Sequence, residues 1–256
     1  MSEPAIDVEN LSKRFGGVRA CKELSFTVPH GSFTAVIGPN GAGKTTVFNL
    51  ITNIYPADAG EVRFYGTPIL GHLPSKIAAM GLIRTFQAAR IYPGMTALDN
   101  VLAGAHLRVR MHPWRQMLWL TGARREESAL IAQADALLEL VGLTQFRGTA
   151  ATELPMGAQK LLEIIRALMA RPKLLLLDEP AAGLNDAETA DLAELLRAVR
   201  DSGVTVMVVE HNMSLVMGVA DQVIVLDAGS IVASGTPREI QQDARVIAAY
   251  VGQETA

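Results

Sequence analysis

The stretch Gly38-Pro39-Asn40-Gly41-Ala42-Gly43-Lys44-Thr45 constrains this chain more than any other. A glycine, four spacers and then Gly-Lys-Thr is the pattern of a loop that cradles phosphates. Glycines let backbone N–H groups approach an anion, because no Cβ stands in the way. Lys44 brings a positive charge to β- and γ-phosphates, and the Thr45 hydroxyl offers an oxygen to Mg²⁺. The flanks fit this reading. Phe33-Thr34-Ala35-Val36-Ile37 is a short β-rich run before the loop, and Val47-Phe48-Asn49-Leu50-Ile51 continues as a helix after it. The helix, starting near Lys44, turns the positive end of its dipole toward the anion. Gly38 to Thr46 are therefore the expected contacts of ATP or GTP. The loop alone does not say what the nucleotide is used for.

With 256 residues, 49% of them hydrophobic, the chain can bury a large core. Its net charge of −3 gives no global basic field for nucleic acid. The single Cys21 cannot close an internal disulfide and suits a reducing compartment. Met1-Ser2-Glu3-Pro4 has neither a basic nor an apolar region, so no signal peptide is expected. No apolar run approaches the ~20 residues that span a bilayer. These features predict a cytoplasmic protein whose membrane role, if any, runs through partners.

Up to about residue 65 the pattern is strand-rich. Ile6-Asp7-Val8, Leu24 to Val28 and Glu61 to Gly66 alternate apolar and polar residues, as half-buried antiparallel strands do. From about 96 to 170 the spacing is helical, with Leu130, Ala134, Leu137, Leu138 and Val141 on one face and Gly142 as a C-cap. Within it, His106 to Arg125 mixes arginines with Met111, Trp114, Met117 and Trp119; it reads as a solvated loop, or as a contact for a partner or lipid head groups. Beyond 174 the reading is α/β. Leu174 to Leu177 and Val204 to Val209 are continuous apolar runs, as expected of parallel strands buried on both faces. Asp186 to Val199 is an amphipathic helix between them, and Val223 to Ser230 looks like a hairpin.

Four further segments carry chemistry. Leu174 to Leu177 leads into Asp178-Glu179-Pro180, so two carboxylates stand at the carboxyl edge of a sheet, where α/β folds bind ligands. Asp178 can hold Mg²⁺, and Glu179 can polarise a water for attack on the γ-phosphate. Val208-Val209-Glu210-His211 repeats the geometry, and His211 can donate a hydrogen bond to the γ-phosphate. Gln87 can ligate a metal or water through its side-chain carbonyl. Leu154 to Lys160 opens a helix, Lys160 to Ala170, with Pro155 suited to a first turn and Gly157 to a close backbone approach. That helix N-terminus can receive a phosphate.

Together these motifs resemble the ATP-binding subunit of an ABC transporter. Phe15 stands where the family stacks an aromatic on adenine. Gly38 to Thr45 matches the Walker A loop and Gln87 the Q-loop. Residues 154 to 159 occupy the signature (Leu-Ser-Gly-Gly-Gln), Asp178 and Glu179 match Walker B and the catalytic Glu, Ala182 to Asn185 the D-loop, and His211 the switch His. Gly81 to Gln87, Met95 to Val101, Asp178 to Asn185 and the ending Ile247 to Gly252 look like the ATPases of branched-chain amino acid importers, whose urea and amide relatives are much alike.

The resemblance implies an α/β P-loop core with an N-terminal antiparallel β-subdomain and an inserted helical subdomain. The core would take residues 1–87 and 171–256, and the helical part 88–170. It implies ATP and Mg²⁺ (the metal on Thr45, Gln87 and Asp178), catalysis by Glu179 with His211, and γ-phosphate contacts from Pro155, Met156 and Gly157. It also implies transmembrane permease subunits, a second ATP-binding subunit in a homo- or heterodimer, an extracytoplasmic solute-binding protein reached indirectly, and a place on the inner face of the membrane. The signature departs from the family. Pro155 stands for its Ser, Met156 for its first Gly and Ala158 for its Gln; Asn185 replaces the usual D-loop Asp. Pro155 has neither hydroxyl nor N–H, so the site that this signature completes is expected to hydrolyse ATP weakly. A non-hydrolysing regulatory subunit is one alternative. A soluble ATPase acting on nucleic acid or ribosomes is another, opposed by the single cassette, the lack of heptads and the acidic balance.

Overall fold

The computed structural model describes residues 3–85, 91–107 and 121–251. Among them the chain runs β1 (Ile6–Phe15), β2 (Val18–Val28), β3 (Phe33–Ile37), α1 (Lys44–Ile51), β4 (Ala59–Phe64), β5 (Thr67–Pro68), α2 (Pro74–Ala79) and β6 (Leu82–Arg84). Then come α3 (Ala97–Ala103), α4 (Thr121–Leu140), α5 (Met156–Met169), β7 (Leu174–Asp178), α6 (Asp186–Asp201), β8 (Thr205–Val209) and α7 (Met213–Val219). The chain ends with β9 (Gln222–Asp227), β10 (Ser230–Gly235), α8 (Pro237–Gln242) and α9 (Ala244–Val251). It separates into two compact units. One contains 1–87, 173–182 and 196–256, and the other 88–172 and 183–195.

The first unit holds two sheets. The smaller has the order β2-β1-β4-β5 and is antiparallel. The larger has the order β10-β9-β3-β8-β7-β6, parallel except for β10 against β9. Its central strands β3, β7 and β8 are buried at every position, which explains their nearly continuous apolar runs. A buried leucine of this kind contributes about 1.5–3 kcal/mol relative to an exposed one. Parallel pairing sends the carboxyl ends of β3, β8 and β7 to one edge. There Val209 pairs with Val36 on one side and Asp178 on the other, a single row across three strands. The loops that follow these strands hold the expected phosphate, metal and switch residues.

The 223–230 hairpin forms as read, with β9 and β10 joined at Ala228 (φ 43°) and Gly229 (φ 80°). Positive φ at both central residues marks the tight turn that matches strand twist. Cys21 is buried in β2, and burial pushes its thiol up to about 11, so it stays protonated.

In the second unit α3 packs against α4 and α5. Thr96 and Asp99 close a capping box at the start of α3. Gly142, at φ 68°, ends α4 as its sequence suggests. Leu143 N–H donates to Leu138 O at 2.8 Å and Gly142 N–H to Glu139 O at 3.0 Å, the paired bonds of a left-handed helix stop. One expectation needs correction. The helix read as Lys160 to Ala170 begins at Met156, and Pro155 is not in its first turn. With φ −53° and ψ 153° Pro155 is extended and stands at the cap position. The segment expected at 106 to 125 falls mostly outside the described residues; from Thr121 it is part of α4. No described helix is long and apolar enough to cross a membrane.

Candidate nucleotide site

The phosphate loop leaves β3 at Gly38 and enters α1 at Lys44. Two of its glycines are required by their surroundings. Gly38 has φ 148°, and a Cβ there would run into the Leu226 carbonyl of β9. Gly43 has φ 103°, and a Cβ would meet the Ala20 carbonyl of β2. The β9–β10 turn holds the loop as well. Gly229 N–H donates to Ala42 O at 3.0 Å, and Gly229 O accepts from Lys22 N–H at 2.8 Å. The loop is thus wedged between β2 and the hairpin.

Lys44 is buried, and its ammonium donates to the carbonyls of Gly38 at 2.7 Å and Pro39 at 2.9 Å. Burial lowers its pKa, while the charges of Glu179 and Asp178 act in the opposite sense and favour the cation. A cleft of about 470 Å³ opens over this loop. Asn40 through Thr46 line it, with Val18 to Ala20 and Lys22 from β2, Glu179 and Ala228. Its size suits a nucleotide. Phe15, at the end of β1, is half-exposed and does not line this cleft. Its ring meets Tyr55 edge-on at 5.4 Å, with the Lys13 ammonium 5.5 Å from its centroid.

Glu179 follows β7 in a left-handed conformation, φ 48°, which costs a non-glycine residue about 1–2 kcal/mol. Two backbone bonds hold it there. Glu179 N–H donates to Val209 O at 2.9 Å, and Glu179 O accepts from Ala182 N–H at 3.1 Å. His211 is exposed after β8, with Nδ1 3.9 Å from Glu179 Oε2. So Lys44, Thr45, Asp178, Glu179 and His211 share one edge of one sheet. Gln87 lies outside the described residues. Pro155, Met156 and Gly157 belong to the second unit, where Pro155 and Met156 are exposed and Gly157 is buried. Asn185 caps α6: its side chain accepts from Glu188 N–H at 3.0 Å, and Glu188 Oε2 accepts from Asn185 N–H at 3.0 Å. Asn and Asp cap equally well, so the D-loop departure leaves this helix start intact.

Sequence reasoning missed two charged residues here. Arg84, ending β6, is buried and donates to Asp178 Oδ2 at 2.9 Å, to Asn49 Oδ1 at 2.7 Å and to Thr52 Oγ1 at 3.2 Å. Burial lowers its pKa, and Asp178 opposes that shift. A lone arginine in an apolar strand, beside a strand that ends in aspartate, was the available signal. Removing one partner of a buried pair leaves a charge uncompensated. Arg84→Leu is therefore expected to lower unfolding stability by about 3–5 kcal/mol, read as the midpoint of urea denaturation. An unchanged midpoint would show that Arg84 does not hold Asp178. The other missed residue is Glu210, a fully buried carboxylate between the Glu179 and His211 segments.

Comparison with known proteins agrees with this geometry. The ABC transporter family matches residues 21–182, and the family described as branched-chain amino acid ATP-binding cassette transporter matches 230–256. The chain is 41% identical over 254 residues to the high-affinity branched-chain amino acid transport ATP-binding protein BraF of Pseudomonas aeruginosa, covering 99% of this chain and 100% of that protein. It is 38% identical to LivG of Escherichia coli, which carries the same description, over the same shares of both chains. A crystal structure of an ABC transporter's ATP-binding cassette in its ADP conformation superposes with a TM-score of 0.83 and 32% identity. It covers 97% of this chain and 99% of that one. A strand–loop–helix phosphate site, acids at the neighbouring strand ends and full-length similarity converge: the chain belongs to the ABC transporter ATPases, among the ATP-binding proteins of branched-chain amino acid transport.

Proposed function

We propose that this chain binds and hydrolyses ATP on the inner face of a membrane to drive an importer of branched-chain or related amino acids. The observation that carries this reading is the row Val36–Val209–Asp178, which brings the loops after three strands to one edge. Phe15, half-exposed at the end of β1 and outside the cleft over the phosphate loop, stacks on adenine where the base extends beyond that cleft. The phosphate loop and Lys44 hold the β- and γ-phosphates. Glu179 polarises the attacking water, and His211 donates to the γ-phosphate.

Mg²⁺ fits the residues present. Thr45 lines the cleft and carries a hydroxyl, and Asp178 accepts from Arg84 through Oδ2, leaving its second oxygen for the ion or its water. Gln87 is a third oxygen donor. The metal would draw charge from the β- and γ-phosphates. Two cassettes close on two ATP molecules, each site joining one Walker loop to the other subunit's signature helix. Closure shifts permease subunits between two states, and hydrolysis resets them. The solute reaches the permease from an extracytoplasmic binding protein and never touches this chain, which has no nucleic-acid partner. Capture of permease subunits and of a second cassette with the tagged chain supports this assembly; capture of ribosomal proteins alone would contradict it.

The exposed Pro155 favours an asymmetric dimer. Without the signature hydroxyl, the opposing γ-phosphate loses a charge-assisted hydrogen bond worth about 1.5–3 kcal/mol. The isolated chain is expected to hydrolyse ATP feebly, and Pro155→Ser with Met156→Gly to raise the rate by about tenfold or more. Steady-state ATPase of wild type, double variant and assembled complex decides this. A wild-type chain that turns over rapidly alone, unchanged by the double substitution, would end the asymmetric reading.

A further inference from the structure

Glu210 has no role in the nucleotide contacts described above, yet it is completely buried. Oε1 accepts from Ala181 N–H at 2.7 Å. Oε2 accepts from His211 N–H and Asn212 N–H, both at 2.9 Å. Its own N–H donates to Val36 O at 3.2 Å, two residues before the phosphate loop. Among the described residues no lysine or arginine pairs with it; the nearest cationic candidate is the His211 ring, with Nδ1 4.0 Å from Oε2. A buried carboxylate is tolerated only when its oxygens are well satisfied. Here three backbone donors from two separate segments satisfy them. One segment follows Glu179 by two residues. The other is His211 itself and Asn212, whose side chain caps α7 by accepting from Leu215 N–H at 3.1 Å.

Resting on the site reading above, we propose that Glu210 is a positioning residue that joins the His211 segment to the segment after Glu179, so that both reach the γ-phosphate as one unit. A carboxylate suits this task because it is acceptor-only. Glutamine has the same shape, but its amide would set N–H against N–H at one of the two oxygens and release one segment. Glu210 lies off the cleft, so nucleotide affinity is independent of it.

The test is steady-state ATPase of the assembled complex carrying Glu210→Gln, His211→Ala, or both, with ATP-analogue affinity measured by calorimetry. Glu210→Gln is expected to lower kcat on the order of 10- to 100-fold with KM and analogue affinity unchanged. On the His211→Ala background the same change is expected to add little, because residues acting as a unit are not additive. A wild-type kcat in Glu210→Gln, or a full additive loss in the double variant, would overturn the proposal. Full activity of His211→Ala alone would instead remove the site reading on which it stands. If Glu210→Gln does not fold, amide exchange in the wild-type complex decides. The His211 and Asn212 amides, in a loop with an exposed histidine, are expected to exchange slowly; fast exchange would overturn the proposal.

Discussion

Glu179→Gln is expected to leave ATP bound and to stop its hydrolysis, with a loss of about 10²-fold or more in kcat. The substitution keeps the shape and removes the base. The backbone supports this assignment. Glu179 is held at φ 48° by Val209 O and Ala182 N–H, a left-handed conformation in a side chain that lines the nucleotide cleft. Strain of this kind persists where surrounding structure enforces it, and it collects at functional positions. Amide and carboxylate have the same shape in the same turn, so affinity is retained. Single-turnover kinetics of the assembled complex separates the two effects. Hydrolysis at the normal rate would show that another group activates the water.

Lys44→Ala is expected to have a comparably large effect on a different quantity. The ammonium binds the Gly38 and Pro39 carbonyls and so fixes the loop as well as supplying charge. Its removal loses the phosphate contacts, each about 1.5–3 kcal/mol for a hydrogen bond to a charged group. It also removes a cation that acts on Asp178 and Glu179, although Asp178 keeps its pair with Arg84. ATP affinity by calorimetry is expected to fall by about 10²-fold or more. Near-normal affinity in a folded variant would remove Lys44 from the phosphate site.

The parts of this structure that were legible in sequence are those written in local pattern. Phe33 to Ile37 and the helix from Lys44 could be read residue by residue, because a short β-rich run meets a glycine loop with a fixed spacing. Gly142 was readable as a helix stop for the same reason, since a left-handed residue is needed after Leu140. The start of α5 was less legible. Met156 to Gln159 has the look of a motif rather than a helical turn, and an extended Pro155 directly precedes the first helical residue. Arg84 and Glu210 were hidden for another reason. Arg84 meets Asp178 across 94 positions of sequence, and Glu210 meets Ala181 across 29. Such pairs follow from strand order and register, which no local spacing records. The same holds for the wedge of Gly38 and Gly43 between β2 and the β9–β10 hairpin. Their glycine character is visible in sequence, but the carbonyls they avoid are not.

The central claim, that this chain couples ATP to amino acid import, is tested most directly by uptake. The complex of this chain, its partner cassette and permease subunits would be placed in proteoliposomes with the solute-binding protein outside and ATP within reach of the cassettes. Labelled leucine, isoleucine and valine would be followed. The account predicts accumulation that requires ATP and is lost with Glu179→Gln in the presence of bound ATP. Accumulation that persists without ATP, or brisk ATP hydrolysis with no uptake of any of the three, would contradict it.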